Sequence, residues 1–342
     1  MLVMVHHFAP GVFVLQLGPL GVRLFFALSG FLITRIVLQC KRDVERNLLT
    51  AGTALRQFYI RRFLRIFPAY YLLLAIAVVF HRASLTSGLQ WHLLYLSNFY
   101  MAAKGSHIGT ATMLWSLSVE EQFYLFWPTL LMWIPRKWEG AAAVVLIAIA
   151  PLSRALFFTL GANEVSVYVL PTSSMDCLGL GAWLAIAGRD SILWRMLPVG
   201  IIGALACRVF PGNVWSIAGE SLFGGLLAVW LVAWAWTGIP GVAGRFLEWK
   251  PIRYVGMISY GMYLCHSFVG AFVDRLRLPV PSGFADVVHF AISAALSIGV
   301  ASVSWYCFER PINQLKDRFP YRPKEKRETE TQTLLARAAS HS

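Results

Sequence analysis

The sequence predicts an all-α membrane protein with about ten transmembrane helices, and three observations carry that reading. First, 57% of the 342 residues are hydrophobic and only 14% are charged, whereas a soluble domain carries roughly a quarter charged residues. Second, the mean hydropathy is +0.60. A single packed core cannot hide that much apolar surface, but lipid can. Third, the apolar stretches recur at close to the about 20 residues that a helix needs to cross hydrocarbon.

In chain order the expected spans are Met1–Leu15, Gly21–Leu38, Ile66–Phe80, Glu120–Ile134 and Ala141–Leu160. They continue with Thr172–Ala187, Pro198–Phe210, Leu222–Trp236, Tyr254–Val273 and Phe290–Phe308. The apolar run at Met1 is shorter than a full crossing, so a truncated first helix is expected, with no cleavable signal peptide. One alternating set of connections holds Arg35, Lys41, Arg42, Arg46, Arg56, Arg61, Arg62, Arg65, Arg136, Lys137, Arg189, Arg195, Arg245, Lys250 and Arg253. The opposite set holds only Arg82, Lys104, Arg275 and Arg277. This asymmetry places both termini in the cytoplasm. It also accounts for the formal net charge of +13 without a nucleic-acid partner. From Pro311 the chain turns polar, which divides it into a membrane domain, 1–310, and a polar cytoplasmic tail, 311–342. The five cysteines are scattered and form no C-x-x-C pair, so neither a zinc site nor a disulfide framework is expected.

Ionisable groups inside spans are costly and mark candidate sites. His6 and His7 follow the apolar Met1–Val5 run, and a neutral imidazole suits general-base work. Arg23 falls in the second span. Ser116, Glu120 and Tyr124 are spaced i, i+4, i+8 in the fourth, which puts them on one helix face. Asp176 opens the sixth span, and Tyr260 and His266 lie in the ninth. Glu309 closes the tenth and is read as structural, paired with a neighbouring arginine. Arg61, Arg62 and Arg65 form a basic, aromatic-rich helix entrance. They suit the phosphates of a nucleotide-bearing donor or, equally, anionic lipid.

Taken together and in order, these motifs resemble the acyltransferase-3 family of polytopic membrane acyltransferases. The resemblance runs through His7-Phe8, the Gly21–Ile33 stretch, Arg61-Arg62-x-x-Arg65-Ile66-x-Pro68-x-Tyr70 and Trp115-Ser116-Leu117 followed by Glu120. It continues through Asp176 with Gly181, Ser259-Tyr260 to Tyr263 and His266, and Glu309-x-Pro311. It implies that 1–310 is an acyltransferase-3-like domain in a bacterial inner membrane. Such a domain moves an acyl group, commonly acetyl, from cytoplasmic acyl-CoA (acetyl-CoA) to a hydroxyl of a cell-surface or exported carbohydrate or glycolipid. Acyl-CoA would be a co-substrate, with no permanently bound cofactor and no metal.

The resemblance assigns the key histidine to His7, with His6 as the alternative base. The implied scheme has His7 deprotonate the acceptor hydroxyl while Glu120 orients the imidazole. Arg61, Arg62 and Arg65 hold the donor. Arg23, Ser116, Tyr124, Asp176, Tyr260 and His266 shape and charge the cavity. The arginine that the family carries upstream of this histidine would fall before Met1, which leaves an inactive, truncated family member as one alternative. A transporter or flippase of a lipid-linked sugar is the other, since it would use the same intramembrane charges.

Overall fold

In hydrocarbon every backbone N–H and C=O must find its partner within the chain, so apolar sequence of this kind folds as helix. The computed structural model describes residues 3–4, 17–80, 83–189, 192–276 and 285–321, and no β-strand occurs among them. The chain opens with two long helices, α1 (Leu17–Glu45) and α2 (Ala51–Val79). Three short ones follow: α3 (Ala83–Thr86), α4 (Leu89–Leu93) and α5 (Ser97–Lys104). Next come α6 (Leu114–Trp133), α7 (Arg136–Thr159), α8 (Glu164–Val169) and α9 (Met175–Ala187). The remainder comprises α10 (Leu197–Val209), α11 (Val214–Thr237), α12 (Gly241–Glu248), α13 (Lys250–Met257), α14 (Ser259–Arg275), α15 (Ala285–Ser304) and the short α16 (Arg310–Gln314).

Among the described residues six helical segments are long and apolar enough to cross a membrane: α1, α2, α7, α10 with the turn before it, α11, and the run from α15 to Arg318. The pair α13 and α14 makes a seventh if counted as one span bent by 73°. The expected α6 and α9 spans are present as helices but fall outside this set. α6 carries Ser116, Ser118, Glu120, Glu121 and Gln122 in a row of two turns, and α9 has only 13 residues. Of the expected first span only Val3 and Met4 are described. Met4 is buried against Ile258, Met262, Ala294 and Ala301.

Apolar side chains face outward on the spans. Leu125, Leu152, Ile202, Val209 and Val303 are between 64 and 71% exposed, a surface that only lipid tolerates at this extent. Inside, Phe26, Phe58, Tyr70, Phe123 and Trp127 are fully buried in a core shared by α1, α2, α6, α7 and α9.

The helix ends bearing the basic residues gather at one end of the bundle. Lys41, near the end of α1, donates to the carbonyls of Leu131 (3.1 Å) and Ile134 (2.5 Å) and to Glu139 (2.6 Å). It thus covers the last carbonyls of α6, where a cation complements the helix dipole, and pairs with the first turn of α7. Arg136 pairs with Glu45 at the same junction. Arg35 and Arg189 both lie over the Trp236 ring, at 5.1 and 5.4 Å, and so join the ends of α1, α9 and α11.

Two boundaries differ from the sequence reading. α2 begins at Ala51 rather than Ile66, because Thr50 caps it by accepting from Thr53 N, so the whole Phe58–Pro68 motif is helical. The stretch 311–318, expected in a solvated tail, continues as helical turns that dock on α2. There Arg61 Nη1 donates to Lys316 O (2.8 Å) and Phe319 O (3.1 Å).

α1 and α9 approach each other backbone to backbone. A Cβ at Gly30 would strike the carbonyl of Leu178, and one at Gly181 would strike the carbonyl of Ala27 and the amide of Phe31. Small residues permit such backbone contact where no hydrophobic force drives helices together. Gly181→Val should therefore cost about 1–3 kcal/mol or more, read as a lower melting temperature of the detergent-purified protein. Gly52→Ala, at a position with nothing within 4 Å, should leave that temperature unchanged or slightly raised.

Candidate active site

α1 presents Ser29 one residue before Gly30, so the contact with α9 fixes which way Ser29 faces. Opposite it, Glu120 and Tyr124 lie one turn apart on α6, as the i, i+4 spacing predicts. Ser29 Oγ and Tyr124 OH both donate to Glu120 Oε1, and Tyr124 OH lies 3.1 Å from Ser29 Oγ. The carboxylate is 4% exposed. No ion pair within 4 Å is formed by Glu120 among the described residues.

These three side chains form part of the wall of a cavity of about 460 Å³ between α1, α2, α6, α13 and α14. Arg62 and Arg65 reach the same cavity from α2, and Tyr260 and His266 reach it from α14. Arg62 lies over the Tyr124 ring at 5.4 Å. Tyr260 OH donates to Ile66 O (2.9 Å), which ties α14 to α2. His266 is fully buried, with Nδ1 2.7 Å from Tyr263 O and Nε2 3.2 Å from Ser267 Oγ. Val3 and Met4 also line this inner cavity, which lies toward the basic end of the bundle. His6 and His7 lie outside the described residues.

A second cavity, of about 640 Å³, opens toward the opposite end, where His107 and Asp274 are exposed. The two share Val3, Val22 and Tyr263. The Tyr263 ring stacks on Phe25 at 6.0 Å, and its hydroxyl lies 2.5 Å from Ser116 Oγ and donates to Met113 O (3.3 Å). Tyr263 thus stands between the two chambers, with Ser116 holding it.

Several sequence-predicted residues take other places. Arg23 faces away from both cavities: it pairs with Glu220 of α11 (2.8 Å) and lies over Gly224, where a Cβ would meet its guanidinium. The reason is helical geometry, since Val22 lines both chambers and the next residue points about 100° around the helix. Arg61 turns to the 316–321 segment and its guanidinium lies over the Tyr321 ring at 4.9 Å, leaving Arg62 and Arg65 at the inner cavity. Asp176 is buried against Arg154 (2.7 Å) and also accepts from Ser221 Oγ (3.2 Å) and the Cys177 amide (2.8 Å). Arg154 in turn donates to Ser173 O and Ala218 O. This network pins α7, α9 and α11 together and lines neither cavity.

Glu309 is buried in a π-turn and accepts from Ser304 Oγ (2.7 Å), and among the described residues no arginine forms an ion pair with it within 4 Å. It packs against Gly261, where a Cβ would sit 2.9 Å from its oxygen. Ser29 and Tyr263 were absent from the predicted site. Their signals were a Ser-Gly pair in an otherwise apolar stretch and a tyrosine three residues beyond Tyr260. Among the described residues no group of three His, Cys, Asp or Glu side chains is placed to hold a metal ion.

With this geometry in place, comparison with known proteins fixes the class. Residues 1–306 match the acyltransferase-3 family profile, described as an acyltransferase domain, and the chain belongs to that family. It is 28% identical over 333 residues to the peptidoglycan O-acetyltransferase OatA of Listeria monocytogenes, a match covering 87% of this chain and 51% of that protein. It is 25% identical over 344 residues to the O-acetyltransferase OatA of Staphylococcus aureus, covering 90% and 55% respectively. The chain thus spans about half the length of the curated relatives it matches. No solved structure matches it.

Removing one partner of a buried ion pair leaves an uncompensated charge, at about 3–5 kcal/mol, whereas a half-exposed pair contributes about 0–1 kcal/mol. Asp176→Ala should accordingly collapse the yield of folded protein in detergent size-exclusion. Glu45→Ala, whose pair with Arg136 is exposed on both sides, at 42 and 59%, should change it little.

Proposed function

We propose that this chain is a multi-pass protein of the bacterial plasma membrane that moves an acyl group, acetyl by default, from cytoplasmic acyl-CoA to a hydroxyl of a cell-surface carbohydrate. In this reading it makes ten spans, with the basic end of the bundle and both termini in the cytoplasm, as the positive-inside rule favours. The observation that carries the reading is the inner cavity. Two arginines, Arg62 and Arg65, share its wall with a buried carboxylate held by two hydroxyls, in a domain whose relatives are named O-acetyltransferases. Guanidinium forks suit phosphate, so Arg62 and Arg65 would hold the coenzyme A phosphates at the mouth nearer the cytoplasm. The names of the relatives favour a peptidoglycan-type glycan as acceptor.

The reaction balances as a direct transfer. His7, with His6 as the alternative, takes the proton from the acceptor hydroxyl, whose oxygen forms a bond to the thioester carbonyl carbon. The carbon–sulfur bond breaks, and coenzyme A leaves as the thiolate and takes up the proton from the imidazolium. Glu120 would stabilise that imidazolium, as the acidic member of a catalytic triad does. Arg23, turned toward Glu220, has no part in this scheme.

The test is transfer by proteoliposomes given radiolabelled acetyl-CoA and soluble peptidoglycan fragments. Label should appear on the glycan, and His7→Ala should lower kcat by about 10² to 10⁴, the usual contribution of a positioned base. Arg62→Ala and Arg65→Ala should raise KM for acetyl-CoA more than Arg61→Ala does. Folded protein that moves a lipid-linked sugar but transfers no label would overturn the enzyme reading.

A further inference from the structure

The two cavities differ in charge, and the difference points to what each receives. The described wall of the inner cavity carries two guanidiniums, Arg62 and Arg65, against one carboxylate. The described wall of the outer cavity carries no lysine or arginine. Its ionisable groups are one carboxylate, Asp274, and two imidazoles, His107 and His289. A polyanionic ligand therefore meets guanidinium counter-charges on the described wall of the inner chamber, whereas the described wall of the outer one offers it only two imidazoles, one of them against Asp274. Placing like charges together in a cleft walled by apolar groups costs far more than in bulk water.

The other surfaces of the outer cavity suit a sugar ring. Tyr168 and Trp115 lie side by side, with ring centroids 5.0 Å apart and planes tilted by 60°. Trp115 is buried in the core behind Tyr168, and the half-buried Tyr168 presents an aromatic surface at the cavity wall for the C–H face of a pyranose. Thr110 and Thr112 add hydroxyls at the rim. At the mouth, Asp274 Oδ1 lies 2.9 Å from His289 Nε2, joining the end of α14 to the start of α15. The Asp274 side chain is 69% exposed, so it keeps capacity to accept hydrogen bonds from ligand hydroxyls. The cavity measures about 640 Å³, within the range of about 300–1,000 Å³ typical of small-ligand sites.

We propose that the outer cavity is the acceptor's seat and that it selects an uncharged, hydroxyl-rich sugar ring over a polyanionic saccharide, with Tyr168 as the platform, backed by Trp115, and Asp274 as the charge filter. The inference rests on the acyl-transfer reading for its biological meaning, but the seat itself is a statement about binding. Tyr263 divides this seat from the donor's chamber.

The experiment is calorimetric titration of the full chain in nanodiscs, without any acyl donor. The probes are a tetrasaccharide of N-acetylglucosamine and a tetrasaccharide of galacturonic acid. The neutral ligand should bind at least about tenfold more tightly. Tyr168→Ala should weaken it by a similar factor. Asp274→Lys, at an exposed position where folding is not at stake, should close or reverse the gap between the two ligands. Equal or tighter binding of the galacturonate by the unaltered chain would overturn the proposal. So would neutral binding that neither variant changes, or no binding of the neutral ligand at all. Because no acetyl-CoA is present, this titration reads the seat alone: sugar binding here, together with no label transferred in the proteoliposome assay, would sink the enzyme reading and leave the seat standing. Transfer whose acceptor KM ignores both variants would do the reverse.

Discussion

The backbone contact between α1 and α9 is the constraint on which the rest of the bundle depends. With Gly30 against the Leu178 carbonyl and Gly181 against Ala27 and Phe31, the rotation of α1 about its axis is fixed to within a side chain's width. Every other face of α1 then follows from 3.6 residues per turn. Ser29 meets Glu120 of α6, and Thr34 accepts from Trp127 Nε1 (2.8 Å). Phe25 stacks on Tyr263 of α14, and Arg23 meets Glu220 of α11. α1 thus meets α6, α9, α11 and α14, leaving an exposed stripe at Leu28, Leu32, Arg35 and Gln39, and is the axle around which the walls of the two cavities are set.

Buried charge in this protein falls into two kinds, one locked in ion pairs and one facing a cavity. Lys41 with Glu139 and Arg154 with Asp176 are both enclosed, and both cations also satisfy backbone carbonyls. Such pairs, with each donor and acceptor matched, fix helices in place and leave nothing for chemistry. Glu120 is different. Its held oxygen is bound by two neutral hydroxyls, it faces a cavity, and the nearest arginines line that cavity without closing on it as an ion pair. A carboxylate oriented by neutral donors keeps its charge available to whatever enters.

Hydropathy made the long apolar helices legible, because lipid requires continuous apolar helix, and six of the described segments, or seven with the bent pair, are long and apolar enough to cross. It misjudged places where polar side chains sit within helix. α2 extends back through Arg56, Arg61 and Arg62, and the segment between α2 and α6 folds as three short helices that bury His92, Ser97 and Asn98. The pairing of Glu120 with Tyr124 was readable from spacing within one helix. The third member, Ser29, comes from a helix 91 positions away, and no local pattern encodes that meeting. Arg23 and Arg61 were placed at the cavity because their types fit. Which face each occupies depended on the α1–α9 contact and on the docking of residues 316–321. Sequence spacing carries neither.

The position of Tyr263 ties these strands together. α14 presents Ser259, Tyr260, Tyr263 and His266 to the inner cavity, and Tyr263, Ser267, Gly270 and Asp274 to the outer one. One helix face therefore runs through both chambers. Tyr263 is the residue common to both sets, stacked on Phe25 and held by Ser116. In the proposed reaction, a thioester entering from one side and a hydroxyl entering from the other would meet at this ring. Water kept out at that junction cannot compete as the nucleophile, which is the hazard of any acyl transfer in an aqueous site.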